Sequence, residues 1–394
     1  MHLAPSARHV QLRAELHDYF ATLMPSGPPD ATDRDAVRAL LRQIGADGLL
    51  GLGWPTEYGG QGRGPDEQFI FFDEAQRAGA PVSMVTLNTV GPTLIKYGSP
   101  HQKAHFLPRI LSGEIVFAIG YSEPEAGTDL AALRTRAVRE GDHWVVDGQK
   151  IFTSNAQHAD WIWLACRTDP EAPKHQGISI ILVPTDSPGF SWTPIETVGG
   201  LTTTATYYDA LRVPADHLVG PEHGGWGLIT NQLNHERVAL AALGMQAEDA
   251  FQDALEHTRA CDPVTGRRPA DHPWVRSRLA EASARLAALR LLNWRLVQDV
   301  GSNTLAPGDA SGVKFFGTES TVEVYRICQE VVGERALLRG PVGTCGRQAA
   351  GCYDDGSLER MNRAAQINTF GGGVSEIQRE ILAGTRLGMK GRRR

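Results

Sequence analysis

The chain has 394 residues, 41% of them hydrophobic, with 39 lysines and arginines against 45 aspartates and glutamates. That length predicts two or three subdomains, and the apolar content argues against disorder. The net charge of −6 gives no electrostatic footprint for nucleic acid, and the basic tail (Lys390, Arg392, Arg393, Arg394) reads as a solvated terminus.

Five cysteines without a CxxC pair argue against a zinc cluster or a disulfide framework and suit a reducing compartment. The N-terminus lacks the apolar core of a signal peptide. No run approaches the roughly 18 apolar residues of a membrane span. A soluble, cytoplasmic protein is expected.

In chain order, Val10, Leu12, Leu16 and Phe20 predict a helix over residues 9–21, and a second follows over 35–44. Gly51 to Gly62 then interrupts the pattern. Its Gly-Leu-Gly start is no dinucleotide fingerprint, because no strand precedes it and Pro55 intrudes. A structured loop is expected. Helical spacing returns over 65–78, 84–97 and 101–110. From Ile115 short β-rich runs take over: VFAIGY, HWVVDG, WIWLACR, ISIILVP, FSWTPI and TATYYDALRVP. Asp147-Gly148 reads as a tight turn between Val146 and Gln149. After Pro221 helices are expected over 226–243, 247–260, 274–300, 311–332 and 373–387, with a glycine-rich insertion between Gly333 and Gly356. The predicted fold class is α+β: an N-terminal all-α domain (1–115), a middle β-domain (116–220) and a C-terminal helical domain (221–394).

One stretch stands out. From Phe117 an apolar strand leads into Ser122-Glu123-Pro124-Glu125-Ala126-Gly127-Thr128-Asp129. Pro124 withholds a donor and Gly127 allows close backbone approach, so the loop can wrap a polar ligand edge. Its hydroxyls and amides suit a phosphate or a heteroaromatic ring bearing carbonyls.

With that turn leaving the first strand of an α–β–α chain, the sequence resembles the acyl-CoA dehydrogenase family from about Leu12 to Leu387. The family's first signature, Ser/Thr then E-P-x-A-G-S/T-D, stands at Ser122–Asp129, with Glu125 in place of the usual glycine. The second, D-G-x-K with a following aromatic and asparagine, stands at Asp147-Gly148-Gln149-Lys150 through Phe152 and Asn155. The third stands at Thr369-Phe370-Gly371-Gly372-Gly373-Val374-Ser375-Glu376-Ile377-Gln378-Arg379.

The resemblance implies an N-terminal helical domain, a β-barrel-like middle domain and a C-terminal helical bundle. It also implies FAD as cofactor and oxidation of an acyl-CoA to a trans-2-enoyl-CoA. A carboxylate removes the α-proton while hydride passes to flavin N5, and burial brings the base toward neutrality. Flavin contacts fall on Ile119, Tyr121, Ser122, Gly127 and Thr128, and on Phe152, Thr153 and Ser154. Ser122 faces the ring's pyrimidine edge, Thr128 the pyrophosphate or thioester, and Phe152 stands where many relatives carry Trp. Val374, Ser375 and Glu376, with Gln329 and Gly333, are the remaining cofactor contacts.

Many relatives carry the base in a Tyr-Glu-Gly triplet at the third signature; here the triplet is Gly371-Gly372-Gly373. Other relatives place it just before an arginine on the helix after the β-domain, where this chain has Glu236-Arg237. Glu236 is therefore expected as the base, with Arg237 and Asn234 along the acyl-CoA path together with Thr128. Glu376 lies one helical turn beyond the other base position and is read as a cofactor contact.

In homotetrameric relatives an Arg-x-x-Phe-Gly stretch reaches a neighbour's flavin. Here Arg259 is followed by Ala260-Cys261-Asp262-Pro263, and a Gln-x-x-Gly-Gly turn survives only as Gln329 and Gly333. A weakened half-site for the AMP end is expected. This pattern resembles the base-bearing subunit of actinobacterial steroid side-chain acyl-CoA dehydrogenases, which form α2β2 assemblies. The implied substrate is a bulky, steroid-type acyl-CoA, and the implied acceptor is an electron-transfer flavoprotein. The alternatives are nitroalkane oxidase-like or monooxygenase-like flavin chemistry on the same fold, or a non-catalytic partner subunit. Glu236 argues against all three.

Overall fold

Ser6 opens α1 (Ala7–Leu23) with a capping box to His9, and Leu12, Leu16 and Phe20 bury one stripe of it. The computed structural model describes residues 4–232, 244–261, 266–302, 304–339 and 356–389. Asp33 caps α2 (Arg34–Ala46), and Pro65 with Asp66 and Glu67 starts α3 (Pro65–Ala78), which Gly79 ends in a left-handed conformation. Ser99, Pro100 and Gln102 start α5 (Pro100–Leu111) in the same way as α1.

The expected helix over 84–97 divides in two. Val85–Val90 is a π-helix, and α4 (Gly91–Tyr97) continues from it. The wider turn gives Leu87 a carbonyl that accepts from the Trp54 indole at 3.0 Å. Trp54 is 2% exposed, and a β-carbon on Gly91 would lie 2.0 Å from its ring. The loop from Gly51 thus packs its own Trp54 against the π-helix and α4, and its two short 3₁₀ turns match the structured loop expected there.

The middle of the chain is an eight-stranded sheet. In sequence its strands are β1 (Phe117–Gly120), β2 (Arg136–Glu140), β3 (His143–Lys150), β4 (Trp161–Arg167), β5 (Ile178–Pro184), β6 (Phe190–Glu196), β7 (Thr202–Pro214) and β8 (Leu218–Val219). The order is β6-β7-β3-β2-β4-β5-β8, with β1 parallel to β4. Alternate residues of β4 enter two cores. Ile162, Leu164 and Cys166 pack with Trp144, Val146 and Tyr208, while Trp163 and Ala165 face the core shared with the N-terminal helices. Burial on both faces explains the unbroken apolar run WIWLACR. The Cys166 thiol, fully enclosed, is pushed up to about 12 by burial and is inert.

Asp147-Gly148 is not a turn. β3 runs straight through it with a bulge between Val146 and Gly148 opposite β7. Gly148 has φ +144°, and a β-carbon there would meet Thr135 Oγ1 at 2.7 Å. A bulge, like a tight turn, favours glycine at positive φ, so the dipeptide alone does not separate them. The hairpin turn lies earlier, at Gly141, between β2 and β3.

Beyond the sheet, α6 is described over residues 225–232. Then come α7 (Gln246–Arg259), α8 (Pro273–Gly301), α9 (Pro307–Val332), α10 (Ser357–Ala365) and α11 (Ser375–Arg386). α7, α8, α9 and α10 share a second helical core. α10 follows the glycine-rich insertion, over residues where no helix was expected. Among the described residues no helix is long and apolar enough to cross a membrane, and no cluster of His, Cys, Asp or Glu is arranged to hold a metal.

Candidate active site

The turn after β1 is held from within. Glu123 and Ala126 exchange backbone hydrogen bonds at 3.0 and 3.1 Å, closing the turn and leaving Pro124, Glu125, Gly127 and Thr128 exposed. Glu123 itself points inward and accepts from the amides of Arg134 (2.7 Å) and Thr135 (2.8 Å). The Lys150 ammonium, with 0% side-chain exposure, donates to Glu123 Oε1 at 2.8 Å and to the Tyr121 carbonyl at 3.0 Å. Burial pushes the Glu123 carboxyl up, but Lys150 and the Thr135 donors outweigh it and hold it below the usual carboxylate range. Glu125, in the place of the family's glycine, stays outside and pairs with Arg134 at 2.9 Å.

A depressed folded-state pKa stabilises the protein above the unfolded value, near pH 4.3, and the contribution is lost as pH falls through the folded value. The β1 turn is therefore expected to hold above about pH 5 and to loosen below about pH 4. A thermal unfolding series from pH 7 to pH 3 checks this: Glu123→Gln should flatten the acid limb relative to the native chain.

The second motif is tied to the first by one bond: Ile151 N donates to the Ser122 carbonyl at 2.8 Å. Phe152 follows with φ +59°, and the residue is 59% exposed. A bulky aromatic in the left-handed region costs about 1–3 kcal/mol and persists only where its neighbours hold it there. They do. Thr153 is buried and donates to the Thr204 carbonyl at 2.9 Å, and Thr204 Oγ1 donates back to the Thr153 carbonyl at 2.7 Å. Ser154 Oγ lies 3.3 Å from Thr203 Oγ1. The result is an aromatic face displayed beside a turn carrying the Ser122 and Thr128 hydroxyls. A β-carbon at Gly127 would meet nothing within 4 Å. A planar ligand with polar edges can lie against such a surface.

The third motif lies around α9 and α11. The buried Lys314 ammonium donates to the carbonyls of Gly373 (2.7 Å) and Thr369 (3.3 Å). Ser375 Oγ donates to the Thr369 carbonyl at 3.3 Å. Gly372 and Gly373 have φ +66° and +102°. Val374 is the N-cap of α11 and offers no side-chain cap, and Glu376 lies exposed in the first turn. At the far end of α9, Gln329 donates to the Ala336 carbonyl (3.2 Å) and accepts from Asn362 (2.7 Å), and Gly333 has φ +80°.

Ile119, Tyr121, Ser122, Gly127, Thr128, Phe152, Thr153 and Ser154 thus gather at one end of the sheet. Val374, Ser375 and Glu376 lie at the start of α11, and Gln329 and Gly333 lie at the C-terminal end of α9. Asn234, Glu236 and Arg237 lie outside the described residues. A cavity of about 920 Å³ between α1, α3, α7 and α8, lined in part by Arg13, Arg77 and Trp294, includes no predicted site residue. Sequence reasoning missed two supports. Lys150 follows the polar run Asp147-Gly148-Gln149 at the end of β3, and nothing in that run signals a buried partner. The Tyr121 hydroxyl, which contacts Trp163 and Gln232, had no signal in spacing.

Residues 6–114, 118–210 and 223–386 match in turn the N-terminal, middle and C-terminal domains of acyl-CoA dehydrogenases. The chain is 46% identical to acyl-CoA dehydrogenase FadE26 of Mycobacterium tuberculosis, over 99% of each chain. It superposes on the Tcur3481-Tcur3483 steroid ACAD with a TM-score of 0.90 at 50% identity, covering 99% of this chain and 100% of that one. The ChsE4-ChsE5 complex from Mycobacterium tuberculosis gives 0.89 at 46% identity, with 99% and 100% covered. The chain belongs to the acyl-CoA dehydrogenase family.

Proposed function

We propose that this chain is the base-bearing subunit of an FAD-dependent enzyme that desaturates the Cα–Cβ bond of a bulky, steroid side-chain type acyl-CoA. The carrying observation is the bond from Ile151 N to the Ser122 carbonyl, which brings the first two motifs together and sets Phe152 beside the Ser122 turn. These residues fit FAD. A rigid exposed aromatic suits the ring, a hydroxyl turn suits its polar edge, and the open approach at Gly127 and Thr128 suits a phosphate. Ile119, Tyr121, Ser122, Gly127, Thr128, Phe152, Thr153 and Ser154 would hold the ring end. Val374, Ser375 and Glu376 would contact the cofactor from the start of α11, and Gln329 and Gly333 would serve its AMP end.

Bound FAD supplies the acceptor for the β-hydrogen as hydride. The protein supplies the base: Glu236 takes the α-proton, while Thr128, Asn234 and Arg237 orient the thioester and its CoA. The third motif supports this assignment, because Gly371, Gly372 and Gly373 offer no carboxylate and Glu376 is turned to solvent. Electrons then leave to an electron-transfer flavoprotein.

Two of the solved relatives are named as pairs of proteins, Tcur3481-Tcur3483 and ChsE4-ChsE5. Together with the missing Phe-Gly after Arg259, this supports an α2β2 assembly in which a second acyl-CoA dehydrogenase chain completes the cofactor's AMP end. Purified alone, the chain is expected to hold well under one FAD per chain and to turn over slowly; co-purified with such a partner, it gains both. One tightly held FAD per chain with full turnover in the isolated chain contradicts the shared-site reading.

A further inference from the structure

The base expected at Glu236 lies in a stretch whose two described flanks are both anchored. On the far flank, Arg77 Nη2 donates to the Met245 carbonyl at 3.1 Å and Gln246 Nε2 to the Gln76 carbonyl at 2.8 Å, tying the start of α7 to α3. Asn293 Nδ2 reaches Met245 Sδ at 3.3 Å. On the near flank the anchor is of another kind, because it ends on the cofactor turn.

Trp163 Nε1 lies 3.2 Å from the Tyr121 hydroxyl, and that hydroxyl is bonded to Gln232 Oε1. An indole N–H can only donate, so the Tyr121 oxygen accepts from Trp163 and sends its own proton to Gln232. The polarity of the whole chain follows: Trp163 N–H to Tyr121 O–H to the Gln232 carbonyl oxygen. Tyr121 immediately precedes Ser122, and its carbonyl is held by the buried Lys150. Gln232 is 1% exposed and stands four residues before Glu236. Its Nε2 is buried with no hydrogen-bond partner among the described residues. A leucine there would leave no unpaired buried donor but could not accept from Tyr121. The paired Gln232 oxygen does one thing: it registers the C-terminal end of the described α6 against the strand that leads into the cofactor turn.

We infer that Tyr121 and Gln232 are positioning residues that register α6, the helix that precedes Glu236 in the chain, against the flavin-binding turn. They act through their neighbours, Ser122 on one side and Glu236 on the other. The inference rests on the reading of Glu236 as base. A proton abstraction and a hydride departure on adjacent carbons need both partners in register, and a misplacement on the order of 1 Å costs roughly 10²-fold.

The test uses the flavin-loaded enzyme, with its partner where one is needed, and the variants Tyr121→Phe, Gln232→Met and their combination. Anaerobic stopped-flow reduction by an acyl-CoA that the native enzyme oxidises is normalised to bound flavin. The limiting reduction rate is expected to fall roughly 10- to 100-fold in each single variant, with half-saturation by acyl-CoA changed less than about threefold. The double variant should be no slower than the slower single, because both remove one bond. Independently of turnover, amide exchange over residues 225–232 in the substrate-free enzyme should quicken about fivefold in Tyr121→Phe. A native reduction rate per bound flavin in Tyr121→Phe and Gln232→Met overturns the inference, as does a double variant whose loss is the product of the singles. Glu236→Gln in the same assay separates the two ideas. Retained reduction there removes the base reading, whereas its loss beside a native rate in Tyr121→Phe removes only the positioning role.

Discussion

Glu236→Gln is expected to lower steady-state oxidation of acyl-CoA by about 10²–10⁴-fold, the range that a positioned general base supplies. Glutamine keeps the shape and removes the proton acceptor, so flavin content and unfolding temperature should stay at native values. Rescue from the third motif is not expected. The family's alternative base position is occupied here by three glycines, and Gly372 and Gly373 adopt φ +66° and +102°, a region that side-chain-bearing residues enter only with strain. Placing Glu at Gly372 in the Glu236→Gln background should therefore leave the enzyme inactive. Glu376 is exposed in the first turn of α11 and stands one helical turn beyond the family's base position. Glu376→Gln should retain turnover, with any loss appearing as weaker flavin retention.

The largest stability effect is expected at Lys150. Its ammonium is fully buried and neutralises Glu123, which is itself 8% exposed. Lys150→Met leaves a buried carboxylate with only backbone donors, a change that costs about 3–5 kcal/mol in buried pairs. The loss should be felt at the site as well as in the fold, because Lys150 also holds the Tyr121 carbonyl and leads directly into Ile151 and Phe152. Thermal unfolding should show a marked drop and the purified protein should lose flavin. Adding Glu123→Gln to Lys150→Met should recover part of the stability: a neutral amide no longer needs a counter-charge, and its oxygen still accepts from Thr135 and Arg134. A Lys150→Met protein of native stability would show that the pair contributes little.

How far these features were legible in the sequence depends on the distance over which they are encoded. β4 and β5 were readable because burial on both faces writes an unbroken apolar run, and α1 was readable from Leu12, Leu16 and Phe20. The Ser122–Asp129 turn and Phe152 were found because their motifs are contiguous. The bulge at Gly148 was misread because turn and bulge favour the same glycine conformation. The short β2, with Arg136, Arg139 and Glu140 among its five residues, showed too little apolar alternation to stand out. α10 begins just after Gly356, in a segment marked by its glycines, although Leu358 and Ala365 are buried. The π-helix was unreadable because it departs from helical period only in backbone hydrogen bonding, with Trp54 as the distant partner. Lys150 with Glu123 and Tyr121 with Gln232 join residues far apart in the chain, and no local pattern signals such a pair.

The central claim is tested most directly by one anaerobic turnover. The flavin-loaded enzyme is mixed with acyl-CoA without an electron acceptor, and flavin absorbance and product are followed together, native chain beside Glu236→Gln. The native enzyme should bleach its flavin and form trans-2-enoyl-CoA in equal amount, and the variant should do neither. Equal bleaching in both proteins, or flavin that acyl-CoA leaves oxidised in the native enzyme, would contradict the account.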